Sequence, residues 1–244
     1  MVEYSKVLQD AKAIEGWMLD ESIAVWHFLL SSKPESEGGM LEIGVLHGKS
    51  ASILANHAAE NNEPLYLVDP ELTSGARNSI GRIHPSTRFI ECFSEALPSN
   101  QLMTDAARSL RFIHVDGMHR FANVLEDLRI AQDLLSDFGI VSVDDFFTDL
   151  FPQVAAAVFQ YVTSAESKLS IFLTAFNKCY LCKKSAKLHY LRLVRFDALE
   201  RLRAMGHVLT LVKTDKHENF NAFSLVPDTW GSEARHQYGN PDEF

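Results

Sequence analysis

Apolar positions along the chain fall into two rhythms. Short apolar runs closed by turn residues recur between residues 40 and 147: MLEIG, PLYLVDP, STRFIECF, SLRFIHVDG and FGIVSVDDFF. Runs of this kind, bounded by Gly, Pro and Asp, predict strands. Between the fourth and fifth lies RFANVLEDLRIAQDLLSDFG. There Phe121, Val124, Leu125, Leu128, Ala131 and Leu135 recur at helical spacing, while Glu126, Asp127, Arg129 and Asp133 lie off that face. Gly139 is placed to end this helix. A second helix follows the glycine turn after MLEIG and runs to about Ala59. A third, amphipathic, is predicted over 17–31 (WMLDESIAVWHFLLS), starting near Asp20 or Ser22, before SSKPESEGG breaks the pattern. Strands alternating with helices of this length predict a parallel sheet with helices on both faces, an α/β doubly wound fold.

The rhythm changes after residue 150. A helix over about 152–164 leads to KLSIFLTAFNKCYLCK, which reads as an antiparallel hairpin at the sheet edge. RFDALERLRAM predicts another helix, and HVLTLVK and FNAFSLV two further strands joined by TDKHENFN. The segment 71–86 (ELTSGARNSIGRIHPS) reads as a polar loop, and the tail from Pro227 as polar and turn-rich. Residues 1–244 are expected to form one domain. It divides into a helical N-terminal cap (1–36), a core (37–185) and a C-terminal extension (186–244).

Composition narrows the function classes. With 244 residues, 46% of them apolar, the chain can bury a large core. A net charge of -9 argues against nucleic acid or an anionic membrane as the main partner. No apolar stretch is long enough for a membrane span, and the N-terminus lacks the apolar region of a signal peptide. Three cysteines (Cys92, Cys179, Cys182) do not make a disulfide framework, so a reducing cytoplasm is expected. Cys179 and Cys182 form a CxxC in a strand-like segment with no second ligand pair in view, and read as structural.

Candidate chemistry sits at the strand ends. In LEIGVLHGKS, Gly44 and Gly48 are spaced Gly-x-x-x-Gly rather than Gly-x-Gly-x-x-Gly. Glycines there let a ligand approach the backbone, and the helix that follows offers free N–H groups to a carboxylate. Asp69 ends the next strand and could accept both hydroxyls of a ribose. The competing reading is a tight turn with Ser50 as a helix cap and Asp69 facing solvent.

Strands four and five both end in aspartate, at Asp116 and at Asp144–Asp145. Parallel neighbours end on one side, where open α/β sheets bind ligands. Three carboxylates on one rim repel unless a cation sits among them, and hard oxygen ligands favour magnesium. His119, one turn past Asp116, suits proton abstraction from a polarised hydroxyl. Adjacent strand residues point to opposite faces, so Asp144 and Asp145 converge only if the chain turns there. A helix cap is the alternative reading of Asp-Asp.

Taken together and in order, LEIGVLHGKS, LVDP, IHVDGMHRF…EDL and FGIVSVDDF resemble the class I S-adenosylmethionine-dependent methyltransferases. More narrowly, they are similar to the metal-dependent sugar and macrolide O-methyltransferases and the cephalosporin-hydroxylase-like group. The resemblance covers about residues 15 to 185. It implies a Rossmann-like, mostly parallel seven-stranded sheet with a C-terminal antiparallel strand. It also implies an O-methyltransferase that uses S-adenosyl-L-methionine and Mg2+ and acts on a hydroxylated small molecule, a sugar or natural product. Glu42, Gly44, Gly48 and Ser50 would hold the methionine end of the cofactor, Asp69 the ribose, and Ser94 the adenine side. Asp116 would serve cofactor and metal, Asp144 and Asp145 would complete the metal ligands, and His119 would be the general base. The pattern departs at Phe93, where an acidic residue is frequent, at Phe138-Gly139, where Gly-Gly is, and at Phe121, where Tyr is usual. Three alternatives stay open: a metal-independent methyltransferase with the same cofactor pocket, a non-catalytic cofactor-binding protein, and an NAD-dependent oxidoreductase. The chain ends could supply a homo-oligomer interface.

Overall fold

The computed structural model describes residues 2–32, 38–214 and 221–230. Among the described residues nine strands form one sheet in the order β3-β2-β1-β4-β5-β7-β6-β9-β8. The predicted apolar runs supply β1 (Gly39–Ile43), β2 (Leu65–Val68), β3 (Arg88–Ile90), β4 (Leu110–Val115) and β5 (Leu135–Val143), all mutually parallel. β1, β2 and β4 are buried on both faces, which explains why they read as continuous apolar runs rather than alternating ones.

The hairpin is β6 (Leu169–Ala175) and β7 (Lys178–Lys183). β7 inserts antiparallel between β5 and β6. The sheet does not stop there as expected from seven strands. β9 (Phe223–Pro227) pairs parallel with β6, and β8 (Leu209–Lys213) pairs antiparallel with β9. The hairpin is therefore interior, and the edges are β3 and β8. The mostly parallel Rossmann-like core with a C-terminal antiparallel strand is present, extended by two strands.

Helices cover both faces. α2 (Asp20–Ser31), α3 (Lys49–Asn61) and α8 (Lys187–Ala204) share one apolar core, while α6 (Phe121–Leu134) and α7 (Pro152–Thr163) share the other. α2 is buried along its whole length from Ser22 to Ser31, so it is a core helix rather than an amphipathic one. Its Trp26 is fully buried, whereas Trp17 is exposed. α1 (Tyr4–Lys12) lies in the mixed-charge N-terminus, where no helix was expected, and packs Val7 and Ala11 into the core. The expected loop at 71–86 contains a helix, α4 (Ser74–Ile83), because Thr73 Oγ1 accepts from the Ala76 N–H at 3.1 Å and caps it.

Gly139 does not end α6. It lies inside β5, where a Cβ would come within 2.7 Å of the Leu110 carbonyl oxygen. Close approach of two strands, not a helix cap, requires glycine there. Arg111 on β4 forms a buried pair with Glu63, its Nη2 2.6 Å from Oε2, and ties the sheet to the end of α3. Cys179 and Cys182 point to opposite faces of β7, one into each core, and all three cysteines are free. Among the described residues no helix is long and apolar enough to cross a membrane. The break at 33–37, the 215–220 connection and the tail beyond 230 lie outside the described residues.

Candidate active site

Strand register builds the site. Ile43, Val115 and Val143 stand side by side at the ends of β1, β4 and β5. The next residues, Gly44, Asp116 and Asp144, therefore emerge together at one rim. Hydrogen bonds continue the ladder there: Asp116 N–H donates to the Ile43 carbonyl at 2.8 Å and Asp144 N–H to that of Val115 at 3.0 Å.

The glycine turn departs from β1 at Gly44, with φ +87°. A Cβ at Gly44 would lie 2.0 Å from the Asp116 carbonyl oxygen, so only glycine lets the turn pass the aspartate strand. Gly48, φ +89°, opens α3 without a side-chain cap. The helix N-terminus is thus left for another acceptor. Ser50 is not the cap. Its hydroxyl lies beside Glu42, which is fully buried beneath the turn. Asp69 fastens the turn from β2: Oδ2 accepts from the N–H groups of Val45 (2.8 Å) and Leu46 (3.1 Å), and Oδ1 from Glu71 (2.8 Å). Exposed Leu46 and half-buried His47 form the outer lip.

The acidic rim divides in two. Asp145 has φ +54°, a left-handed turn that swings its carboxylate back toward His119. His119 Nε2 lies 2.9 Å from Asp145 Oδ2 and 3.2 Å from Asp116 Oδ1, and bridges them. The hydrogen bond to Asp116, then that to Asp145, raise its pKa to about 10 against the opposing effect of burial. In this state the imidazole is charged. Phe151 stacks on its ring at 4.3 Å, and Gln153 donates to its carbonyl at 2.6 Å. Asn177, in the β6–β7 turn, donates to Asp145 Oδ1 at 2.9 Å and so holds the left-handed residue.

Asp144 faces inward instead. Its Oδ2 meets the ammonium of Lys178, and Oδ1 accepts from the Asp145 N–H at 2.8 Å. Burial alone would raise its pKa, but Lys178 and His114 hold the carboxyl well below the usual range. His114 on β4 is fully buried and donates from Nδ1 to Glu42 Oε1 at 2.7 Å. Burial opposes its charge, yet the neighbouring carboxylates of Asp144 and Glu42 outweigh it and lift its pKa to about 9. Burial raises the Glu42 carboxyl despite that bond.

Two groups of side chains could hold a metal ion, each with ligand atoms within 4.8 Å of one another: Asp116, His119 and Asp145; and His114, Asp116 and Asp144. The three aspartates expected to act together share the rim, but each of these groups contains only two of them. His114, Lys178 and Asn177 complete the site, and no motif in the sequence marks them. His114 lies within IHVDG, yet a histidine inside an apolar strand is an ordinary core residue until its partner on β1 is known.

Ser94 opens a 3-10 turn after β3, and its hydroxyl faces Asp127 of α6. Asp127 is 1% exposed, and burial raises its pKa to about 7, with Ser94 pulling it down and Glu95 and Glu126 adding to the rise. The folded state thus binds this proton more tightly than the unfolded chain. That stabilisation is complete below about pH 4 and is lost as pH rises through about 7. Asp127→Asn is expected to flatten the stability–pH curve across this window and to be more stable than wild type at pH 8, by on the order of 2 kcal/mol. Thermal melting against pH checks this; parallel curves for the two proteins would refute it.

A parallel core with a glycine turn after β1, an acid after β2 and an acid-and-histidine rim after β4 and β5 defines a class I methyltransferase fold. Residues 41–146 match the family model described as a methyltransferase domain. Similar solved structures include the MycE methyltransferase of the mycinamycin pathway in complex with Mg and SAH. It is 12% identical over 75% of this chain and 54% of its own, with TM-score 0.55. The SAH-bound methyltransferase PaMTH1 of Podospora anserina is 16% identical over 74% and 87%, with TM-score 0.54. A TDP-rhamnose 3'-O-methyltransferase of calicheamicin biosynthesis is 12% identical over 73% and 79%, with TM-score 0.51. At these identities the likeness is one of fold. No curated protein matches the chain.

Proposed function

We propose that this protein is an O-methyltransferase that moves the methyl group of S-adenosylmethionine to a hydroxyl of a small molecule, a sugar or another natural product, with a divalent cation, Mg2+, at the rim. The observation that carries this reading is the His119 bridge. Two strand-end carboxylates and an imidazole nitrogen converge beside the glycine turn, on the side of the sheet where such folds bind ligands. The MycE and calicheamicin relatives, methyltransferases of natural-product pathways, support the acceptor class.

On this reading one domain does the work, with residues 37–185 holding the cofactor, 1–36 capping it and 186–244 extending the sheet. Gly44 and Gly48 admit the methionine end to the backbone, and the open N-terminus of α3 meets its carboxylate. Glu42 and Ser50 support the turn from below. Asp69 offers its remaining lone pairs to the ribose, and Ser94 lies on the adenine side. The donor chemistry fits a hard cation: Asp116 and Asp145 would hold it, with Asp144 the third carboxylate of the rim. When bound, such an ion lowers the pKa of a hydroxyl it holds. With Asp116 and Asp145 turned to a cation, the carboxylates that keep His119 charged would be withdrawn from it, and its neutral Nε2, the atom now bridging the two, would take the hydroxyl proton. The acceptor oxygen forms a bond to the methyl carbon as the carbon–sulfur bond breaks, leaving S-adenosylhomocysteine neutral at sulfur. Phe151 and Gln153 keep the imidazole oriented.

The test is methyl transfer from labelled S-adenosylmethionine to a panel of hydroxylated sugars, phenols and polyketides, with and without chelator. Activity is expected to vanish in chelator and return with Mg2+. Full activity in chelator would replace this reading with the metal-independent one.

A further inference from the structure

We propose that Lys178 is a resident cation that claims Asp144 and thereby sets how tightly the rim holds a divalent ion. The inference rests on the metal-assisted reading above. Lys178 is the first residue of β7, and Cys179 beside it pairs with Val143. An antiparallel strand beginning where β5 ends brings Lys178 opposite Asp144. Its side chain is almost wholly buried, its ammonium contacts Asp144 Oδ2, and it lies 5.8 Å from the centre of the Trp26 ring.

A second group points at the same oxygen. His114 Nε2 is fully buried, has no hydrogen-bond partner, and stands 3.6 Å from Asp144 Oδ2. Asp144 is thus held from beneath by an ammonium and an imidazole, while Asp145 turns the other way to His119. That is why Asp144 and Asp145 fall into different groups of ligand atoms with only Asp116 in common. An ammonium and a divalent ion on one carboxylate repel each other strongly in a site this buried. Lys178 therefore leaves the rim with two carboxylates free for a metal, and removing its charge supplies a third.

Mn2+ serves as the probe, with its affinity read by calorimetry and by the electron paramagnetic resonance of the free ion. Lys178→Met keeps the unbranched apolar stem and removes the charge. It is expected to bind Mn2+ at least about tenfold tighter than wild type, since affinity follows the count of charged ligands. Adding Asp144→Asn to it should return the affinity to the wild-type level. Asp144→Asn alone should change wild-type affinity less than about threefold. If Lys178→Met does not fold, Lys178→Gln, which keeps a hydrogen bond to Asp144 without charge, carries the same comparison. Unchanged or weaker Mn2+ binding on loss of the ammonium overturns the proposal. So does a tenfold loss from Asp144→Asn alone, which would make Asp144 a ligand already. Wild type that binds no Mn2+ beside a variant that does would sink the metal-assisted reading and leave the role of Lys178 standing.

Discussion

Asp145→Ala is expected to lower the turnover of methyl transfer by about a thousandfold or more while cofactor affinity stays within about threefold. The residue's value lies in one backbone angle. With φ +54° it leaves the line of β5 and returns its carboxylate to His119 at 2.9 Å. Without it, Asp116 is the one carboxylate left beside Nε2: a cation held as proposed would lose one of its two oxygen donors, and the imidazole loses one of the two groups that orient it. The cofactor turn is built from β1, α3 and Asp69, and its hydrogen bonds do not involve Asp145, so binding should survive. His119→Ala should lower turnover by about a hundredfold to ten-thousandfold, the usual worth of a positioned base, with little change in KM. Single-turnover kinetics with calorimetry of the cofactor separate the two effects. Turnover unchanged in both variants would remove the rim from the chemistry.

Gly44→Ala is expected to cost about 3 kcal/mol or more of stability and to abolish cofactor binding. A methyl group there would have to sit 2.0 Å from the Asp116 carbonyl oxygen and 2.5 Å from its carbon, both backbone atoms at the end of a central strand, at a φ that L-residues avoid. Neither neighbour can retreat without parting β1 from β4. Gly81→Ala is the control: it lies within α4, where an added methyl would meet nothing inside 4 Å, and should stabilise by about 0.5–1 kcal/mol through helix propensity. Chemical denaturation of both variants gives the contrast. Equal stabilities would show that the turn tolerates a side chain and has another conformation within reach.

How much of the molecule is legible in its sequence depends on the range of the interaction. Alternation of apolar runs with helical spacing located β1 to β5, α3 and α6 because each is a local pattern under one burial demand. Adjacent parallel strands end together, so Asp116 and Asp144 could be placed on one rim from the strand pattern alone. Period two also puts Glu42, His114, Asp144 and Lys178 on a single face once the register Glu42–His114–Ser142–Tyr180 is known. That register is not a local property. α1 and α4 carry apolar residues at helical spacing too, Tyr4, Val7, Leu8 and Ala11 in the one and Ala76, Ile80 and Ile83 in the other, but each stripe is short and set among polar residues.

The chain alone therefore determined the fold class, the glycine turn after β1, and the presence of acids and a histidine at the strand ends. The tertiary structure decided which acid meets which cation. Asp145 adopts a left-handed conformation because Asn177, 32 residues away, receives its carboxylate. Asp144 turns inward because β7 delivers Lys178 to it across 34 residues. A residue's strand position sets which face it occupies, but electrostatic pairing among buried groups is settled only where distant segments meet and water has left.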